Sequence, residues 1–181
     1  MREVTPDRRT VIERLAKSRL FKHLSEQQIE RIANRADFLH YERGERIIDE
    51  HSVDDSLYVI LNGNVSVHVK RDERDVYITT LGPADIFGES GVFVNLQRTA
   101  SVYSTDGTTL LRIRRASFMT ALADDPRAGM KILLVMVYSL LRKLREVNVE
   151  LAFERASEAD QESVDLLVEQ MMPSDAREML E

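Results

Sequence analysis

The chain has 181 residues, of which 43% are hydrophobic and 31% charged, and its formal net charge is -6. This length and composition exclude a fibrous or wholly disordered chain and predict a globular protein with its own core. The acidic balance argues against a nucleic-acid partner, because neutralising phosphates requires clustered lysine and arginine, and the absence of cysteine excludes disulfides and thiolate metal sites.

The N-terminal segment, residues 1–36, is predicted to be helical. Thr5 followed by Pro6 is typical of a helix start, since a hydroxyl caps the first turn and proline needs no donor there. This predicts a helix to about residue 18. Ser25 and Gln28 then have the spacing of a capping box, which predicts a second helix to about residue 35.

Residues 37–116 are predicted to form an antiparallel β-roll of about eight strands, so that the fold class is α+β. Apolar residues here recur with a period of two, as at Val65, Val67 and Val69. Asn62-Gly63 is typical of a tight hairpin turn between the two neighbouring strands. Further strands are predicted in three ranges, namely Val76 to Leu81, Thr99 to Thr105 and Thr108 to Arg114.

Residues 117–153 are predicted to form a hinge and a long lid and dimerisation helix. Ser117 is a candidate cap for a short helix, and a longer helical pattern follows Pro126 and ends near Phe153. The apolar residues of this pattern alternate in steps of four and three, the seam of a parallel coiled coil: Leu133, Val137, Leu140, Leu144, Val147 and Leu151. We predict a homodimer through the 127–153 helix; the alternative is that this stripe docks on the chain's own strands.

The remaining segment, residues 154–181, is an acidic tail that we expect to be solvated or to bind a protein. It is too short and too acidic for a helix-turn-helix module that reads DNA. The N-terminus has no apolar core of a signal peptide, and no apolar run is long enough to span a bilayer. We therefore expect a cytoplasmic protein with no membrane and no nucleic-acid partner.

The segment that carries chemistry lies between two predicted strands, from Gly88 to Ala100. Glycines at 88 and 91 permit close backbone approach, so that consecutive amide N–H groups can point at an anion. Arg98 adds a planar fork of donors suited to two oxygens of one phosphate. Glu89 would repel an isolated phosphate, so its presence suggests a ligand that also carries a hydroxyl donor, such as a sugar. Together these residue types predict a nucleotide site.

These residues resemble the phosphate-binding cassette of the cyclic nucleotide-binding domain family. The resemblance spans roughly residues 20–153 and rests on Gly88-Glu89-x-Gly91 followed by Arg98-Thr99-Ala100. Further motifs stand in the family's order: Gly44, Tyr58-Val59-Ile60, Gly63-Asn64-Val65 and Leu81-Gly82-Pro83. By this resemblance Glu89 would accept from the ribose 2'-OH and Arg98 would pair with the exocyclic phosphate oxygens. Backbone contacts would come from Gly88, Ser90, Gly91 and Ala100.

The resemblance also bears on the base and on the lid. A hydroxyl at Thr99 is similar to that of cyclic-GMP-dependent kinases, whereas the catabolite activator protein has a serine there and answers to cyclic AMP. We place cyclic AMP first and cyclic GMP second. The long helix would act as the lid, with candidate base contacts from Arg142, Lys143 or Leu144. The chain departs from the family at Ser90, usually leucine, and at three positions often held by glycine: His51, Asp54 and Ala84.

The predicted function is that of a cyclic-mononucleotide sensor that signals to a protein partner and is not an enzyme. Neither a cofactor nor a metal is expected, because the four histidines have no paired ligand spacing. The main alternative is a ligand-free dimeric scaffold of the same fold. Locally, the cassette also fits a surface turn with a solvated ion pair between Glu89 and Arg98. A hydrolase with Ser90 as nucleophile is disfavoured, since that motif needs glycine where Val92 stands.

Overall fold

The computed structural model describes residues 1–72, 74–93 and 97–171. The chain divides into two units, Met1–Met136 and a second that begins at Val137. In chain order the elements of the described ranges are β1 (Arg2–Glu3), α1 (Arg8–Lys17), α2 (Glu26–Ala33), β2 (Asp37–Tyr41), β3 (Arg46–Ile48), β4 (Ser56–Asn62), β5 (Val65–Arg71), β6 (Arg74–Leu81), β7 (Ile86–Phe87), α3 (Glu89–Phe93), β8 (Ser101–Ser104), β9 (Thr108–Arg114), α4 (Arg115–Asp124) and α5 (Pro126–Met171).

The strands form two antiparallel sheets, which confirms the predicted α+β fold with a β-roll. One sheet has the order β1-β2-β9-β4-β7 and the other β3-β8-β5-β6. Strand β4 is buried on both faces, which explains its unbroken apolar run. Its alternate side chains enter two different cores. Leu57, Val59 and Leu61 pack with the helices, whereas Tyr58 and Ile60 pack with the apolar residues between the sheets.

The N-terminal helices form as predicted, but the first begins later than expected. The capping box at Ser25 and Gln28 is confirmed, with the Gln28 backbone N–H donating to Ser25 Oγ at 3.3 Å and the Ser25 N–H donating to Gln28 Oε1 at 3.0 Å. The predicted start at Thr5 is wrong. Helix α1 is capped by Asp7, whose carboxylate accepts from the Thr10 N–H at 2.9 Å. An aspartate carboxylate caps a helix as well as a hydroxyl does, so Thr5 and Asp7 are two candidate caps only two residues apart.

Asn62-Gly63 does not form the predicted hairpin turn. Strands β4 and β5 lie in different sheets, and the turn carries the chain from one sheet to the other. Gly63 has φ +79° and supplies the predicted left-handed conformation. The chain also crosses between the sheets from β8 to β9, and Asp106 lies in that connection. Its carboxylate stabilises the Asn62-Gly63 turn by accepting from the Asn64 backbone N–H at 2.7 Å and from Asn64 Nδ2 at 2.8 Å.

Two residues that stand where the family often has glycine adopt left-handed backbone. His51 has φ +66° and Ala84 has φ +74°, whereas Asp54 is not among the positive-φ residues of the described chain. Ala84 is held in place by its backbone N–H, which donates to the Ile60 carbonyl oxygen at 2.8 Å. The turns therefore form with residues other than glycine at positions 51 and 84, and the left-handed backbone there is strained by the Cβ atoms.

Ala84→Gly is expected to raise the free energy of unfolding by about 1 kcal/mol, because it relieves the left-handed strain of an L-residue. Ala123→Gly in α4 is the control and is expected to lower it by about 0.5–1 kcal/mol, since glycine weakens a helix. Chemical denaturation of the two variants checks the opposite signs. A loss of stability in both would contradict the strain assigned to Ala84.

The hinge and long helix differ from prediction at their ends. Ser117 is not a cap, because α4 begins at Arg115 and its N-cap residue, Arg114, makes no side-chain capping bond. Helix α5 continues to Met171, beyond the predicted end near residue 153. Asp125 stabilises the first turn of α5. Its carboxylate accepts from the Ala128 N–H at 3.0 Å and from Gln28 Nε2 of α2 at 2.8 Å.

Candidate functional site

The predicted cassette runs from β7 through Gly88 and the short helix α3 to β8. Gly88 has φ +76°, and its carbonyl oxygen accepts from the Gly91 N–H at 3.1 Å, which closes the turn into α3. Glu89 is the first residue of α3 and is half-buried, while Ser90 and Thr99 are exposed. Three residues of the predicted segment, 94–96, lie outside the described residues.

Arg98 is the buried centre of this segment, with only 3% of the residue exposed. Its Nη1 donates to the Gly88 carbonyl oxygen at 2.8 Å. Its Nη2 donates to Asp54 Oδ2 at 2.8 Å and to the Ser56 carbonyl oxygen at 2.5 Å. Its Nε is buried and has no hydrogen-bond partner among the described residues. This arginine is therefore not part of a solvated surface ion pair, and its Nε is a buried charged donor without an acceptor among the described residues.

The two cassette glycines are required because the guanidinium lies against their α-carbons. A Cβ at Gly88 would come within 2.8 Å of Arg98 Nη1 and 2.9 Å of the Ser56 carbonyl oxygen. A Cβ at Gly91 would come within 2.5 Å of the Asp54 carbonyl oxygen and 2.7 Å of Arg98 Nη1. Only a hydrogen fits at either position. The motif glycines thus have a steric basis, which is the close approach of the Arg98 side chain and of neighbouring backbone oxygens.

The loop between β3 and β4, residues 49–55, holds Arg98 through its main chain as well. The His51 N–H donates to the Arg98 carbonyl oxygen at 2.8 Å, and the Arg98 N–H donates to the Ser52 carbonyl oxygen at 2.8 Å. Asp54 from the same loop binds the guanidinium. This loop therefore fixes both the backbone and the side chain of Arg98, and sequence reasoning identified none of these contacts.

The Asp54 carboxylate has three partners. Besides Arg98, it accepts from the Ser56 N–H and the Tyr58 hydroxyl, each at 3.0 Å. Burial favours its neutral form, but the bonds and charge of Arg98 and the bonds of Ser56 and Tyr58 outweigh this, so that the pKa of Asp54 is lowered. Burial, with the adjacent Asp54 charge, raises the pKa of Tyr58. Tyr58 stacks on Phe87 of β7 with the ring centroids 5.0 Å apart.

Residues 38–125 match the family described as the cyclic nucleotide-binding domain. Residues 38–125 form a cyclic nucleotide-binding domain. The match contains the whole cassette, including Glu89 and Arg98. The chain resembles the CRP-like cAMP-activated global transcriptional regulator of Mycobacterium tuberculosis, with 28% identity over 139 residues, 76% of this chain and 60% of that protein.

Two further proteins are similar to this chain, one in sequence and one in fold. The cAMP-dependent protein kinase type II regulatory subunit of Drosophila melanogaster is 41% identical over 71 residues, 39% of this chain and 19% of that protein. The catabolite activator protein of Thermus thermophilus has the same fold, with a TM-score of 0.69 at 23% identity, over 75% of this chain and 62% of that chain. The chain thus spans about 60% of the length of the bacterial proteins it matches.

The cassette of the cyclic nucleotide-binding domain is joined to the hinge helix α4. Arg115 Nη2 donates to the Gly91 carbonyl oxygen at 2.6 Å, and the rings of Phe93 and Phe118 meet edge to face with centroids 6.1 Å apart. The Nε of Arg115 is buried without a hydrogen-bond partner among the described residues. A displacement of α3 would therefore change contacts with the first residues of α4 directly.

The candidate lid residues Arg142, Lys143 and Leu144 lie on α5 in the second unit and are exposed, and their contact with a base stays a prediction. Ala100 is half-buried next to β8. Ser90 has no histidine hydrogen-bonded to it among the described residues, as a hydrolase nucleophile would require. No helix within the described ranges is long and apolar enough to cross a membrane.

Proposed function

We propose that this chain is a regulatory sensor that binds a cyclic mononucleotide, with cyclic AMP the first candidate and cyclic GMP the second. The observation that carries the proposal is the buried Arg98 guanidinium inside the cassette of a cyclic nucleotide-binding domain, with its Nε unpaired among the described residues. A buried charged donor without an acceptor is costly, and an anion at this loop would supply one.

Each cassette residue has a role in the proposed complex. Arg98 pairs with the exocyclic phosphate oxygens, and the backbone at Gly88, Ser90, Gly91 and Ala100 adds contacts to the same group. Glu89 accepts from the ribose 2'-OH. Support comes from α3, whose first turn carries Glu89 and whose N-terminal amides favour an anion. The site requires no metal, no cofactor and no catalytic step.

Cyclic AMP is placed first because the names of two relatives, the mycobacterial regulator and the fly kinase subunit, specify cyclic AMP. Cyclic GMP stays second because of the Thr99 hydroxyl, which is exposed and available to a base. Calorimetric titration of the full chain with cyclic AMP, cyclic GMP and cyclic di-GMP tests the proposal. Saturable heat with one of the first two supports it. Absence of heat with both would favour the alternative of a ligand-free dimeric scaffold.

The proposed signal passes from the cassette through the hinge to the long helix. Arg115 and Phe118 of α4 contact Gly91 and Phe93 of α3, so that movement of the cassette onto a phosphate shifts α4. Residues 117–153 then act as hinge, lid and dimerisation helix, and the acidic segment from 154 or the helix itself meets a protein effector. We place this sensor in the cytoplasm.

The proposed homodimer forms through the 127–153 helix. The residues of the predicted seam from 137 onward are all exposed in the single chain: Val137, Leu140, Leu144, Val147 and Leu151. Apolar residues that repeat in steps of three and four and face solvent are typical of a coiled-coil partner surface. A second copy of the chain is the occupant that matches this spacing along its whole length.

Val147→Glu is expected to convert the dimer to monomer, because it places a charge in the seam. Val149→Glu is the matched control. Both valines are exposed, by 49% and 64%, but Val149 lies on the far side of the helix from the seam. Light scattering after size exclusion should give a monomer for the first variant and a dimer for the second. Equal masses for both variants would contradict the proposed seam.

A further inference from the structure

Asp54 occupies a position often held by glycine in the family, yet its backbone needs no glycine. Its carboxylate instead binds the residue to which the nucleotide phosphate is assigned. The Asp54–Arg98 pair is close, with Nη2 and Oδ2 2.8 Å apart, and the Asp54 side chain is 28% exposed. The side chain is thus partly accessible to solvent, while the guanidinium that it binds is nearly buried.

The donors of Arg98 are largely committed by these contacts. A guanidinium has five N–H groups, and three of them are taken, one by Gly88, one by Ser56 and one by Asp54. Both of the Nη2 hydrogens are used. A phosphodiester that binds through two oxygens needs two parallel N–H groups, and the fork of Nε and Nη2 offers them only when one Nη2 partner leaves.

Asp54 is the partner that can leave. The Ser56 carbonyl oxygen belongs to β4, whose backbone pairs with β9 at Arg114. Asp54 contributes a side chain from a loop, and it keeps two hydrogen bonds without Arg98, from the Ser56 N–H and the Tyr58 hydroxyl. Two anions on one guanidinium also repel each other, whereas a carbonyl oxygen and a phosphate do so far less.

We propose that Asp54 is an internal competitor of the nucleotide phosphate, which sets the affinity of the cassette by occupying Arg98 and is released when the phosphate binds. This inference rests on the proposed function and adds an affinity-setting residue to it. It also gives the side chain at position 54 a role in place of the glycine often found there.

Asp54→Asn tests the competitor. Titration of the full chain with cyclic AMP and cyclic GMP is expected to show affinity about ten- to hundredfold higher in the variant, the span of one hydrogen bond between charged groups. Asp49→Asn is the control. It removes the same charge from the same loop, but Asp49 is 54% exposed and pairs with Arg46. Its affinity should match that of the wild type.

Equal or weaker binding by Asp54→Asn, in a wild type that binds, would overturn the competitor and leave the proposed function standing. If neither the wild type nor the variant binds either nucleotide, the proposed function itself fails. Thermal denaturation checks that each variant is folded. Asp54→Ser is the second variant should the asparagine form not fold, and its uncharged hydroxyl is expected to raise affinity in the same direction.

Discussion

Arg98→Ala is expected to weaken cyclic-nucleotide binding by about 1.5–3 kcal/mol, the range for a hydrogen bond to a charged group. The same change should lower the free energy of unfolding by about 2–3 kcal/mol, because Asp54 then loses the charge that it pairs with. This lies below the range for a fully buried pair, since the Asp54 side chain is 28% exposed. Calorimetry gives the first quantity and chemical denaturation the second.

Arg114→Ala is the matched control for the arginine. Its side chain is 61% exposed and its nearest carboxylate is Asp37 at 3.6 Å, so that stability should change by less than about 1 kcal/mol. Arg98→Lys separates charge from shape, because lysine keeps the charge and lacks the fork. We expect the affinity of Arg98→Lys for the cyclic nucleotide to fall between that of Arg98→Ala and that of the wild type. An affinity unchanged by Arg98→Ala would contradict the assigned phosphate contact.

Gly63→Ala is expected to lower the free energy of unfolding by about 2–5 kcal/mol. A Cβ there would overlap the Gly107 carbonyl oxygen and come within 2.9 Å of Thr108 Cα, both backbone atoms of the second crossing between the sheets. The left-handed backbone alone costs about 1–2 kcal/mol, and overpacking adds about 1–3 kcal/mol. The two crossings must separate to admit the methyl group, and chemical denaturation measures the loss.

Gly44→Ala isolates the backbone term of that loss. Gly44 has φ +81°, almost the same as Gly63, but nothing lies within 4 Å of its Cβ position. It should therefore lose only the left-handed contribution, about 1–2 kcal/mol. Equal losses at Gly44 and Gly63 would show that the contact between the two crossings contributes nothing.

Local chemistry sufficed for those features that local residues determine. The capping box at Ser25 needs only Gln28 three residues on, and the cassette motif lies within thirteen residues from Gly88 to Ala100. The strand Thr108–Arg114 was predicted with the bounds that the structure has. In these cases the interacting groups are neighbours in the chain, so that residue type and spacing carry the information.

Features that depend on distant residues escaped prediction. Asn62-Gly63 suits a hairpin and a crossing equally, and the choice depends on β4 pairing with β9, which lies about fifty residues later. The partner of Arg98 is a carboxylate in another loop, 44 residues earlier. The unusual aspartate at position 54 was a visible signal, but nothing in the sequence indicated which cation it meets.

In the proposed complex the guanidinium at position 98 and the neighbouring backbone amides neutralise a phosphodiester. The most direct measurement is a crystal structure of the full chain grown with cyclic AMP. We expect the cyclic phosphate to lie within hydrogen-bonding distance of Arg98 and of the amides between Gly88 and Gly91, and the sugar hydroxyl to donate to Glu89. A nucleotide bound elsewhere, or a cassette without one at saturating concentration, would contradict it.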